Sequence, residues 1–159
     1  MLFRSISTFN YIQSSTSKFT QCAVLVGYEL GLSALLKKGA DVWLNNPRIT
    51  REASGTSGMA AAMNGAINFS AMDGWVPEFA VNLQNGFYLP VTDSKSSLEE
   101  QDAFDYKNLI EILEDKIVPM YYQQPEMWLN IIKKSMKDIS PAFDSDRMAN
   151  EYYEKLYHI

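Results

Sequence analysis

The chain is 159 residues long, 47% apolar and 21% charged, with a net charge of −5, enough for one globular domain with a core of its own. The acidic balance removes the electrostatic case for binding nucleic acid or an anionic membrane, and no apolar run is long enough to span a bilayer. A single cysteine, Cys22, excludes an internal disulfide, and a single histidine, His158, argues against a Ser-His-Asp triad or a histidine metal site. His158, next to the C-terminus, is expected at a frayed surface position.

Residues 1–20 mix Ser, Thr and Asn with isolated Phe, Tyr and Ile. They are expected to be disordered or a weakly held helix, without function. The opening Met1-Leu2-Phe3-Arg4-Ser5 leads to Ser14-Ser15-Thr16-Ser17 rather than to an apolar core, so it does not read as a signal peptide. Together with the lone thiol, this suggests a reducing, cytoplasmic compartment.

Residues 22–26 are continuously apolar and partly β-branched, which predicts a short buried strand with Cys22 as a core thiol, ended by Gly27. Residues 28–38 place Leu32, Leu35 and Leu36 at helical spacing, with Lys37 and Lys38 in the last turn and Gly39 as the stop. Residues 41–44 read as a second strand, completing a βαβ unit and implying a parallel sheet.

Asn45-Asn46-Pro47 then turns the chain, through Arg48 and Arg51, into Glu52-Ala53-Ser54-Gly55-Thr56-Ser57-Gly58-Met59 and the alanine-rich Ala60-Ala61-Ala62-Met63-Asn64-Gly65. Ser and Thr are good N-caps and Ala and Met good helix formers, so this run is a loop feeding a short helix. It lacks the Gly-Lys-Ser/Thr of a P-loop and the dinucleotide G-x-G-x-x-G. Two readings stand. One is plain capping. The other is a ligand site, with free helix N–H groups for an anion or a hydroxyl-rich molecule, glycines for close approach and Glu52 to accept hydroxyls. Its place beyond the carboxyl end of a strand favours the second.

Residues 67–70 read as a third strand, Met72-Asp73-Gly74-Trp75 as a turn, and Pro77 argues against a regular helix over 76–79. Asn85-Gly86 marks a turn before a strand at 87–89. Glu99-Glu100-Gln101-Asp102 is expected to be a solvated loop or helix face. The last third is helical: 106–122 with a kink or break at Pro119, 125–139 opening on Pro125, and 144–157.

Gly39-Ala40-Asp41-Val42-Trp43-Leu44-Asn45-Asn46-Pro47, the Glu52–Met59 run, Met63-Asn64-Gly65-Ala66 and Asp73-Gly74-Trp75 together resemble the C-terminal domain of the α-glucan (glycogen, starch) phosphorylases. The resemblance runs from about Val24 to the C-terminus and does not take in residues 1–20. It implies an α/β fold: part of the Rossmann-like C-terminal domain of a GT-B architecture, a parallel sheet with a helical C-terminal third, spanning 22–159. Residues 1–21 stay unassigned, disordered or a non-native extension, and suggest a truncated or rearranged coding region. The resemblance further implies a glycosyltransferase that moves glucosyl units between α-1,4-glucan and phosphate, or glucose 1-phosphate, using pyridoxal phosphate. Its partner is an N-terminal GT-B domain absent from this chain, so the chain alone is expected to be inactive.

By the same resemblance, Glu52, Ala53, Ser54 and Gly55 hold the glucose hydroxyls. Gly55 and Thr56 hold the cofactor phosphate, and Tyr28 packs against the cofactor ring. The family's Schiff-base lysine position is Ala60 here, so no catalytic residue is assigned, and a metal is not expected. This departure keeps two alternatives in view: a nucleotide-sugar-dependent glucan glycosyltransferase and a non-catalytic glucan-binding remnant. The final helix is expected to leave Tyr152, Tyr153 and Leu156 partly exposed.

Overall fold

The computed structural model describes the backbone of residues 2–157 and side chains from residue 7 to 157. His158 therefore lies outside the described residues. The chain forms two compact units, Met1–Ala34 and Leu35–Ile159.

The first unit contains helix α1 (Leu2–Thr16) and the opening of helix α2 (Leu30–Gly39). At the end of α1 the Thr16 hydroxyl donates to the Ile12 carbonyl at 2.8 Å and the Ser14 hydroxyl to the Tyr11 carbonyl at 2.9 Å, a back-bonding that Ser and Thr use where helices end. The buried strand expected at 22–26 is absent. The segment is coil, Cys22 is exposed rather than a core thiol, and Leu25 and Val26 are open to water. An apolar run becomes a strand only when a neighbour completes its hydrogen-bond ladder, and this segment joins no ladder. The βαβ unit expected around α2 accordingly lacks its first strand. Helix α2 itself forms where its spacing predicted, with Lys37 and Lys38 in its last turn.

The second unit is built on a parallel sheet of β1 (Val42–Asn45), β2 (Ile67–Ser70) and β3 (Phe87–Tyr88), in that spatial order. Val42 pairs with Ile67 and Asn45 with Ser70 on one side of β2, and Phe69 pairs with Phe87 on the other. All four residues of β2 are buried, as a central strand covered on both faces requires. Helix α3 (Thr56–Met63) connects β1 to β2, and a single helical turn, α4 (Val76–Phe79), lies between β2 and β3. Pro77 does not prevent that turn. It occupies the first turn of α4, where its missing N–H has no carbonyl to serve. The turn ahead of β3 closes through Leu83 N–H to the Gly86 carbonyl at 2.9 Å.

The remainder is helical: α5 (Leu98–Ile112), a π turn (Leu113–Ile117), α6 (Val118–Gln123), α7 (Pro125–Phe143), α8 (Ser145–Tyr152) and a second π turn (Tyr153–Tyr157). Helix α5 starts eight residues ahead of the expected 106 because Ser97 begins a capping box. The Glu100 N–H donates to the Ser97 hydroxyl and the Ser97 N–H donates to the Glu100 carboxylate. The acidic run thus becomes a first turn whose charges suit the helix N-terminus. The break expected at Pro119 takes the form of a widened π turn just before it, which accommodates a residue that cannot donate to the carbonyl four positions back.

Two apolar clusters hold the unit together. Ile67, Phe69, Phe87 and Leu89 pack with Ile117, Met120, Trp128 and Ile131. Ala62, Trp75, Val76, Tyr88 and Ile139 form the other, where Phe143 meets Trp75 and Phe79 edge-on at 5.4 and 4.9 Å. Tyr152, Tyr153 and Leu156 are exposed. Among the described residues no helix is long and apolar enough to cross a membrane.

Candidate functional site

The loop from β1 to α3 leaves the carboxyl end of the sheet and is tied at several points. The Arg51 N–H donates to the Arg48 carbonyl at 3.0 Å, which makes a tight turn with Thr50 at φ 66°. Arg48 grips both carboxylate oxygens of Asp102 of α5, donating from Nε at 2.7 Å and from Nη2 at 2.5 Å. That hydrogen bond holds the Asp102 carboxyl below its usual range. Beside the pair a cavity of about 260 Å³ is lined by Asn46, Arg48, Asp102, Asp105, Tyr106 and Leu109. Asp105 is buried there, and desolvation, then the charge of Asp102, raises its pKa.

Farther along, one carboxylate oxygen of Asp73 accepts from two successive amides, Arg51 at 2.9 Å and Glu52 at 3.0 Å. The Trp75 N–H donates to the Ser54 carbonyl at 3.0 Å. Gly74, at φ 61°, sits between these bonds. A Cβ there would lie 2.5 Å from the Ser54 carbonyl oxygen and 3.0 Å from Glu52 Cγ. The Glu52 carboxylate makes no hydrogen bond or ion pair among the described residues.

Gly55, at φ 88°, caps α3 without a side-chain hydrogen bond, so the cap is neither of the Ser or Thr residues around it. The first-turn amides of Thr56 and Ser57 therefore have no side-chain cap, and the next, Gly58 N–H, returns to the Gly55 carbonyl at 3.2 Å. Gly58 is packed where a Cβ would be 2.9 Å from Asn68 Oδ1 and 3.3 Å from Trp75 Nε1, two buried polar atoms that carry no hydrogen bond.

Glu52, Ala53, Ser54, Gly55 and Thr56 thus form one continuous loop and helix start, with Ala53, Ser54 and Thr56 exposed. Ala60 lies farther along α3, half-buried, its carbonyl accepting from the Asn64 side chain at 2.8 Å. Tyr28 belongs to the first unit, in coil ahead of α2, and its ring is 79% exposed. In the sequence Asp73-Gly74-Trp75 reads as a turn and as part of the family resemblance. The structure makes it the clasp of the loop. Among the described residues no group of three His, Cys, Asp or Glu is placed to hold a metal ion.

No family model matches the chain. It is 40% identical over 134 residues to the maltodextrin phosphorylase of Thermococcus litoralis, an alignment covering 84% of this chain and 16% of that protein. It is 36% identical over 140 residues to the glycogen phosphorylase of Aquifex aeolicus, covering 85% of this chain and 20% of the other. The chain therefore spans a fifth or less of the phosphorylases it matches. In structure it is similar to the catalytic domain of starch synthase IV from Arabidopsis thaliana, solved with ADP and acarbose. The TM-score is 0.67 at 18% identity, over 94% of this chain and 29% of that one. That likeness is one of fold, a GT-B glycosyltransferase domain, and agrees with the parallel sheet and its flanking helices. Over more than four fifths of its residues, the chain is thus similar to one stretch of the α-glucan phosphorylases.

Proposed function

We propose that residues 22–159 are the later part of the C-terminal GT-B domain of an α-glucan phosphorylase. The complete protein would transfer glucosyl units between the non-reducing end of an α-1,4-glucan and phosphate, with retention of configuration. The observation that carries this reading is the β1–α3 loop, which sets Glu52, a carboxylate without a partner among the described residues, beside a helix start whose first amides have no side-chain cap. Such a pair suits a sugar on one side and a phosphate group on the other. Glu52 and the Ser54 hydroxyl would accept and donate to glucose hydroxyls, with the backbone of Ala53 and Gly55 closing around them. Thr56 and the Gly55–Thr56 amide would face the phosphate.

Pyridoxal phosphate fits this chain at one end only. The α3 terminus suits its phosphate; Tyr28, the ring-packing position by family resemblance, belongs to the other unit. Ala60 has a methyl group where an imine would need an amine, so a covalent link at this position is excluded by chemistry. When bound, the cofactor would supply a phosphate for proton exchange with the substrate phosphate; this chain's part is to hold and orient. The exposed Tyr152, Tyr153 and Leu156 are assigned to contact with the N-terminal domain. The free thiol of Cys22 suits a cytoplasmic setting.

The test is phosphorolysis by the full-length protein: maltooligosaccharide and phosphate are expected to give glucose 1-phosphate. A second reading, a nucleotide-sugar glucan transferase, is favoured by Ala60 and by the fold likeness to a starch synthase. Glucosyl transfer from ADP- or UDP-glucose with no phosphorolysis would establish that reading instead. Glucan binding without either activity would leave a glucan-binding remnant.

A further inference from the structure

We propose that Asp73 is the positioning residue of the sugar loop, setting where the Glu52 carboxylate stands. Two successive amides, those of Arg51 and Glu52, converge on one oxygen of Asp73 at 2.9 and 3.0 Å. Hydrogen bonds to an ionised acceptor are the stronger kind, and two adjacent N–H groups form a small cradle for an anion. Two residues on, the Ser54 carbonyl is held by the Trp75 N–H at 3.0 Å. The segment 51–54 is thus fastened at both ends to one turn, 73–75.

The fastening reaches the side chain. Gly74 lies so close that a Cβ would come within 3.0 Å of Glu52 Cγ, so the turn forms the wall against which the stem of Glu52 rests. The backbone of Glu52 is fixed by Asp73 and its stem by Gly74, while its carboxylate has no partner among the described residues. A group held at its root and free at its tip is arranged to meet something from outside. The ligand, a glucan hydroxyl, rests on the function proposed above; the fastening itself does not.

The experiment uses the full-length protein and the variants D73A, D73N, E52A and D73A/E52A. Two readouts are taken: amide hydrogen exchange over residues 51–54, and KM with kcat for glucan phosphorolysis. In D73N the amide oxygen can still accept both N–H groups. D73A is expected to speed exchange at 51–52 and to raise the glucan KM about ten-fold. D73N is expected to stay near wild type on both. If Asp73 acts through Glu52, adding D73A to E52A changes KM by less than about two-fold. Wild-type exchange in D73A, or KM effects that multiply in the double variant, would overturn the proposal. A residue that merely stabilises the fold would lower the melting point and leave the KM of the folded enzyme unchanged. If D73A does not fold, D73S, whose short side chain cannot reach both amides, replaces it in the cycle. If the wild-type protein shows no phosphorolysis, the functional reading fails and the exchange result alone decides Asp73.

Discussion

Asp105 is buried in the cavity beside Asn46, and its carboxyl is harder to ionise than an ordinary one, first from desolvation and then from the neighbouring Asp102. A carboxyl whose pKa rises on folding makes the folded state bind more protons than the unfolded one, so stability is lost as pH climbs through the folded value. D105N removes the charge that must be buried. It is expected to melt higher than wild type at pH 7, with the advantage disappearing below about pH 3.9, the unfolded value of Asp. Thermal melts of the two proteins at pH 3.5 and 7 check this, and equal melting points at pH 7 would contradict it. Nothing at residue level in the sequence marks Asp105, and Asp73 is marked only as part of a turn and of the family resemblance. Their surroundings come from residues far along the chain, as with Asp73, which meets amides 21 and 22 positions away. The five loop residues, by contrast, are consecutive, so their togetherness was readable from order alone.

Elements were legible where the signal was local. β2 was expected at 67–70 and forms there: Ile67 and Phe69 alternate with Asn68 and Ser70, and β1 and β3 on either side complete its ladder. Residues 22–26 carry a continuous apolar run but no ladder forms on them. Patterning supplies the side chains of a strand, not its partner. The start of α5 is readable in the sequence, where Ser97 and Glu100 stand at capping-box spacing ahead of the apolar stripe. S97A is expected to cost about 1 kcal/mol, seen as a lower midpoint in urea unfolding with an unchanged slope. No shift in midpoint would show that packing of α5, rather than its cap, sets its stability.

At the scale of the molecule, this chain matches most of its length to phosphorylases yet spans only 16% and 20% of two of them. A glucosyl transfer needs a site that excludes water and holds both reactants. The loop carrying Ala53, Ser54 and Thr56 is open to solvent here. The chain on its own is therefore expected to release no glucose 1-phosphate from maltooligosaccharide and phosphate, in contrast to what is proposed for the full-length protein. Turnover by the purified chain would refute that expectation.

Thr50 puts local strain into the loop. A β-branched residue at φ 66° sits in a region that L side chains with a branched Cβ avoid, at a cost of about 1–3 kcal/mol. It stands between the arginine anchored on Asp102 and the amides gathered by Asp73. The bonds of Arg48 to Asp102 on one side and of the Arg51 and Glu52 amides to Asp73 on the other offset that local strain, so the turn keeps a conformation its own residue disfavours.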